Sequence, residues 1–174
     1  MYYNMTYQRG ELMDYEHIIH PIAPVYDASS RILILGSLPS VKSREQMFFY
    51  GHPQNRFWRV TAAVFDEPVP VTVPEKKAFL LRNHIAVWDT IYECDIKGSS
   101  DVSIKNVIPT DLRIILDSTN VEHIFCNGSA SYRYYCRYQE ERTHIPAVPL
   151  PSTSPANAAW NVNRLVDAWK VIRF

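Results

Sequence analysis

The sequence predicts an α/β protein built on a four-stranded parallel sheet, and three observations carry that expectation. Short, continuously apolar, β-branched runs recur along the chain, segments of helical spacing separate them, and each run ends in small or polar residues. Strand alternating with helix selects right-handed crossovers onto one parallel sheet.

The first strand is Arg31-Ile32-Leu33-Ile34-Leu35-Gly36, whose unbroken apolar character suits a strand covered on both faces. Three more follow at Ile85-Ala86-Val87-Trp88, Val121-Glu122-His123-Ile124-Phe125-Cys126 and Ala147-Val148-Pro149-Leu150. Helices are expected over Asn55 to Phe65, Glu75 to Arg82, Asp111 to Asp117 and roughly Ala130 to Glu141. A last helix places Val162, Leu165, Val166, Trp169 and Ile172 on one face. Pro68 to Pro74, rich in proline and valine, reads as an extended connector within the fold.

At 174 residues the chain suits one domain spanning 1–174, with residues 1–20 as an N-terminal extension. No apolar stretch approaches the roughly 18 to 20 residues of a membrane helix, so no membrane partner is expected. Met1-Tyr2-Tyr3-Asn4-Met5 lacks the order of a signal peptide, and Cys94, Cys126 and Cys136 cannot all pair, which points to a reducing, cytoplasmic setting. The cysteine and histidine spacings fit neither a zinc site nor an iron–sulfur cluster, so no metal and no cofactor is expected. Formal net charge is zero, which excludes binding of a polyanion by the whole surface. Charge does segregate: residues 42–59 carry Lys42, Arg44, Arg56 and Arg59 against Glu45 alone.

In an open parallel sheet, ligands sit beyond the carboxyl ends of the strands. After the first strand come Gly36-Ser37-Leu38-Pro39-Ser40 and a long loop to Phe48-Phe49-Tyr50-Gly51-His52-Pro53-Gln54-Asn55-Arg56-Phe57-Trp58. Aromatic rings beside His52, Asn55 and Arg56 form a base-sized pocket; equally, Asn55 suits a helix cap and Phe57 and Trp58 suit the core. Asn127, after the third strand, can donate and accept toward a base edge, or cap the next helix. Leu150-Pro151-Ser152-Thr153-Ser154-Pro155-Ala156-Asn157 offers three hydroxyls and a carboxamide suited to phosphate oxygens, or to a serine/threonine turn. Asp89, after the second strand, suits either orientation of a water or a turn. Lys42, Lys97 and Lys105 lie in polar contexts that do not activate a lysine nucleophile, and His17, His20, His84, His123 and His144 are scattered enough to read as structural. Neither G-x-S-x-G nor a Walker sequence occurs.

Together, Gly36-Ser37-Leu38-Pro39, Gly51-His52-Pro53-Gln54-Asn55-Arg56-Phe57-Trp58, Phe125-Cys126-Asn127-Gly128 and Leu150-Pro151-Ser152-Thr153-Ser154-Pro155-Ala156-Asn157 resemble the uracil-DNA glycosylase superfamily. The resemblance is closest to its DNA-deoxyinosine (hypoxanthine-DNA) branch and runs from about His20 to the C-terminus. It implies a three-layer α/β/α sandwich with a central four-stranded parallel sheet. It also implies a catalytic Asn55, a base pocket of Gly36, Ser37, Leu38, Tyr50, His52 and Asn127, and phosphate contacts from Ser152, Thr153, Ser154, Asn157 and Arg56. Tyr50 matches the aromatic on which the flipped base stacks, and Asn127 the base-reading position. Two departures stand out: Ser37-Leu38 replaces the polar residue that other branches keep before the proline, and Leu150-Pro151-Ser152 replaces His-Pro-Ser.

The implied function is monofunctional hydrolysis of the N-glycosidic bond of deaminated bases, hypoxanthine first, in base excision repair. The implied partner is DNA carrying such a base, bound by a monomer with no obligate protein partner and with phosphate attraction from Lys42 to Arg59. Such a reaction builds positive charge on the sugar and negative charge on the base, so it needs donors aimed at the base and a firmly held backbone. Two alternatives remain: a uracil/thymine mismatch glycosylase, and a nucleic-acid-binding domain without turnover.

Overall fold

Burial on both faces is what the apolar runs require, and the computed structural model, which describes residues 14–174, supplies it. In chain order the elements are β1 (Glu16–Ile19), β2 (Ile32–Gly36), α1 (Val41–Gln46), α2 (Phe57–Phe65), α3 (Val73–Arg82), β3 (Ile85–Asp89), β4 (Ile91–Ile96) and β5 (Lys105–Pro109). They continue with α4 (Arg113–Leu116), β6 (His123–Asn127), α5 (Ser129–Tyr138), α6 (Glu140–Thr143), β7 (Ala147–Leu150) and α7 (Val162–Trp169). β3, β2, β6 and β7, in that order, form the expected four-stranded parallel sheet between helices, a three-layer α/β/α sandwich. Every residue of β2 and of β3 is buried. Ile32 pairs with Ile85 on one side and with His123 on the other, a register that brings Gly36, Asp89 and Asn127 to one edge of the sheet.

A second sheet, antiparallel β1-β4-β5, was not expected from the sequence. Only Thr90 separates β3 from β4, whose register against β5 is broken by irregularities. Within β4, Glu93 and Asp95 alternate with the buried Cys94 and Ile96, so the segment lacks an apolar run. The two carboxylates face His17 of β1 at 3.3 and 2.9 Å. Of the N-terminal extension expected over 1–20, residues 1–13 lie outside the described residues, and β1 occupies its last part.

Several helix boundaries also differ. α3 begins at Val73 because Thr72 and Glu75 form a reciprocal capping box and Pro74 fits the first turn, so the extended connector ends at Thr72. The long helix expected over Ala130 to Glu141 divides into α5 and α6 at Gln139, a buried residue whose side-chain amide donates to the Thr110 carbonyl. The loop after β2 contains α1, capped by Ser40 Oγ accepting from the Ser43 amide at 3.2 Å. Among the described residues no helix is long and apolar enough to cross a membrane.

Candidate active site

A cavity of about 390 Å³ opens where β2, β3 and β6 end, within the roughly 300 to 1,000 Å³ usual for small-molecule sites. Gly36, Ser37 and Leu38 line it from β2, Tyr50, His52 and Asn55 from the following loop, Asp89 from β3, Asn127 from β6, and Ser152 to Ala156 from the last loop. Three predicted residues thus reach the cavity from the 50–55 segment alone.

Tyr50 is held in the left-handed backbone region, φ 53°, which is costly for a bulky residue and common at functional sites. Its ring stacks on buried Phe57 with centroids 3.8 Å apart, and its hydroxyl is buried without a hydrogen-bond partner. Burial, reinforced by the charge of Asp89, pushes this phenol well above the usual tyrosine range, so it stays neutral. The Asn55 side-chain oxygen accepts from the Phe57 amide at 2.9 Å. Asn55 thus caps the first amide of α2 from one residue ahead of the N-cap position, which Arg56 occupies without a side-chain cap bond of its own, and this fixes the carboxamide so that its NH2 group remains as a donor beside the cavity. His52 Nδ1 accepts from the Gln54 amide at 3.1 Å. Ser37 donates to Asp101 at 3.4 Å, and Leu38, half-buried, packs against the small apolar cluster of Ile18, Ile91, Cys94, Ile96 and Tyr134.

Two residues expected to contact phosphate, Thr153 in the last loop and Arg56 before α2, have partners within the protein. Thr153 is fully buried; its hydroxyl accepts from Asn127 Nδ2 and its amide donates to Asn127 Oδ1, both at 2.9 Å. Burial in that clamp prevents the Thr153 hydroxyl from touching a phosphate directly. Arg56 is likewise spent within the protein: its guanidinium donates to the carbonyls of Thr153, Ser154, Asn157 and Trp160. These four bonds hold the loop in shape. The expected basic segment is also largely satisfied internally, since Lys42 pairs with Glu45 and Arg44 with Glu16, while exposed Arg59 has no ion pair among the described residues.

Ser152 and Ser154 remain half-exposed, each accepting a backbone N–H from two residues ahead, which leaves each hydroxyl hydrogen to donate outward. Asn157 Nδ2 donates to the Ser152 carbonyl at 2.9 Å and closes the turn. Gly128, φ 97°, lets the end of β6 lie against this loop; a Cβ there would come within 3.0 Å of Ser152 Cβ. Sequence reasoning gave Phe49 and Arg44 no individual place in the site and missed Asp101 on the cavity wall and the pairing of His20 with Asp89. Motif spacing gives no signal for the last, because 69 residues separate the two side chains. Among the described residues no three His, Cys, Asp or Glu side chains are grouped to hold a metal ion.

The model of the uracil DNA glycosylase superfamily matches residues 23–173, nearly the whole sandwich and every strand end that lines the cavity. The chain belongs to the uracil DNA glycosylase superfamily. Within that superfamily it is 33% identical over 152 residues to a hypoxanthine DNA glycosylase of Methanosarcina acetivorans, covering 85% of this chain and 93% of the relative. A hypoxanthine DNA glycosylase of Methanosarcina barkeri is 34% identical over 113 residues, 64% of this chain and 72% of the relative. A solution NMR structure of a Methanosarcina acetivorans protein titled a "putative Uracil DNA glycosylase" superposes with TM-score 0.75 at 29% identity, covering 87% and 94% of the two chains.

Proposed function

We propose that this superfamily member is a monofunctional DNA glycosylase that hydrolyses the N-glycosidic bond of deaminated bases, hypoxanthine by preference, in base excision repair. The observation that carries the reading is the Asn55 carboxamide: its oxygen is committed to the Phe57 amide, so its NH2 group is a fixed donor at the wall of a base-sized cavity. A preorganised donor there stabilises charge that develops on the departing base without reorganising first. Tyr50, stacked on Phe57, supplies the flat wall against which a flipped base rests. Gly36, Ser37, Leu38 and His52 shape the rest of the pocket, and Asn127 reads the base with the amide hydrogen left over from its bond to Thr153. The outward hydroxyls of Ser152 and Ser154, in the turn closed by Asn157, take the phosphates.

The whole of 1–174 serves as one glycosylase domain, and a single chain supplies every wall of the cavity, so the reading needs no partner subunit. Three free thiols suit a cytoplasmic enzyme. The relatives' names support the choice of hypoxanthine. The test is a panel of duplexes each bearing one hypoxanthine, uracil or xanthine, scored for abasic sites. The reading expects hypoxanthine to be released fastest; binding without any abasic product across the panel would sink it.

A further inference from the structure

The outward hydroxyls of Ser152 and Ser154 carry no charge, and the cations of the 42–59 segment are mostly paired or turned inward. Neither supplies a cluster of free cations beside the cavity. Such a cluster lies on another part of the rim. The segment between β4 and β5 gives Gly98, Ser99 and Asp101 to the cavity wall; it begins at Lys97 and ends at Lys105. The Nζ atoms of these two lysines lie 4.7 and 3.5 Å from the centroid of the Tyr15 ring, just ahead of β1 and within cation–π reach. On α5 the guanidiniums of exposed Arg133 and Arg137 sit 5.3 and 5.2 Å over the rings of Tyr134 and Tyr138. Those two rings pack in one apolar cluster with Ile96, Ile104 and Val107 of the β4–β5 hairpin, so α5 and the hairpin present their cations side by side.

Among the described residues none of the four cations pairs with a carboxylate. The neighbouring acids are engaged elsewhere, Asp95 by His17 and Asn106 and Asp101 by Ser37. An aromatic face positions a cation without cancelling its charge, and gathered like charges repel one another until an anion joins them. These cations are spread over a hairpin and two successive turns of a helix, an array that suits a polymer of regularly spaced charges better than one small anion. The hairpin follows β3 and the serine turn follows β7, the two edge strands of the parallel sheet, so the two enter the cavity wall from opposite edges.

We propose that Lys97, Lys105, Arg133 and Arg137 form a second DNA-binding surface, which takes phosphates of the duplex flanking the cavity and supplies most of the salt-sensitive part of binding. The inference rests on the glycosylase reading for its partner. This surface reads no base: it attracts and aligns the duplex, and selection is left to the cavity. The uncharged serine turn then adds hydrogen bonds but little salt dependence, because only cations that neutralise phosphates release counterions.

The test is equilibrium binding of the full chain to an undamaged duplex and to the same duplex with one deoxyinosine, over a range of salt concentrations. Each phosphate neutralised contributes about 0.9 to the slope of log affinity against log salt. Lys97→Gln, Lys105→Gln and Arg133→Gln combined should therefore lower that slope by about 2 to 3, equally on both duplexes. Lys105→Gln and Arg133→Gln alone should each lower it by about 1, and Lys105→Arg should keep the wild-type slope. Lys170→Gln removes one positive charge beside η-turn residues 170–172, next to the amino ends of the strands and far from the cavity, and should not change the slope. A wild-type slope in the folded combined variant, or an equal fall in Lys170→Gln, overturns the proposal, as does a loss confined to the deoxyinosine duplex. If wild type binds both duplexes with the expected slopes yet releases no hypoxanthine, the glycosylase reading fails and the surface stands.

Discussion

At the residue scale, the two readings of Asn55 that the sequence left as alternatives are compatible, because one end of its carboxamide holds the first amide of α2 and the other stays beside the cavity. Substitutions separate them. Asn55→Ala loses both, and we expect at least a 100-fold fall in excision, on the order of 3 kcal/mol of transition-state stabilisation, with about 1 kcal/mol of stability lost with the cap. Thr153→Ala and Ser152→Ala, equivalent in the sequence, should now diverge. The first removes the buried acceptor of Asn127 and should lower the melting temperature. The second should weaken DNA binding alike for all bases while leaving stability nearly intact. Parallel effects of the two changes in both assays would contradict the assignment. Residue types at strand ends were legible because glycine, serine and asparagine are conspicuous after apolar runs. Which hydroxyl is buried and which faces out was not, since burial depends on the partner that each residue meets in the fold.

At the scale of elements, the central strands were legible because burial on both faces writes an unbroken apolar run into the sequence, as in Ile32–Gly36. β4 and β5 carry no such mark: Glu93 and Asp95 interrupt the first, and the second is mostly exposed and ends in Pro109. The loop after β7 is shaped from outside itself, by Arg56 through its carbonyls and by Asn127 through Thr153. Arg56→Lys, which cannot reproduce the planar fork, should therefore lower stability and weaken DNA binding together. A loss of affinity at unchanged melting temperature would instead mark Arg56 as a phosphate ligand. Gly128→Ala should also destabilise, by more than about 1 kcal/mol, because it places a Cβ against Ser152 at a positive φ; a melting temperature equal to wild type would refute that account.

For the whole molecule, zero net charge hid how the charges are spent, because most of the basic segment near the cavity is paired or buried. Stability should weaken on the acid side. Hydrogen bonds from Arg113 hold Asp111 at about 2, and Glu67, Glu75, Asp95 and Asp27 are held below their ordinary values by Arg82, by the Thr72 and Val71 amides, by Asn106 and His17, and by Ser29. Lowered folded values mean that the unfolded chain binds protons more readily, so this stabilisation is present above the ordinary carboxylate range and is lost as pH falls. The melting temperature should therefore decline from about pH 4.5 toward pH 2, and a flat profile there would contradict the assigned partners. The central claim, that a cap-fixed Asn55 donor removes hypoxanthine, is tested most directly by single-turnover excision from a deoxyinosine duplex by wild type and Asn55→Asp. Aspartate keeps the acceptor for the Phe57 amide and loses the donor. The account predicts an unchanged or raised melting temperature with excision reduced at least about 100-fold, and excision within a few-fold of wild type would contradict it.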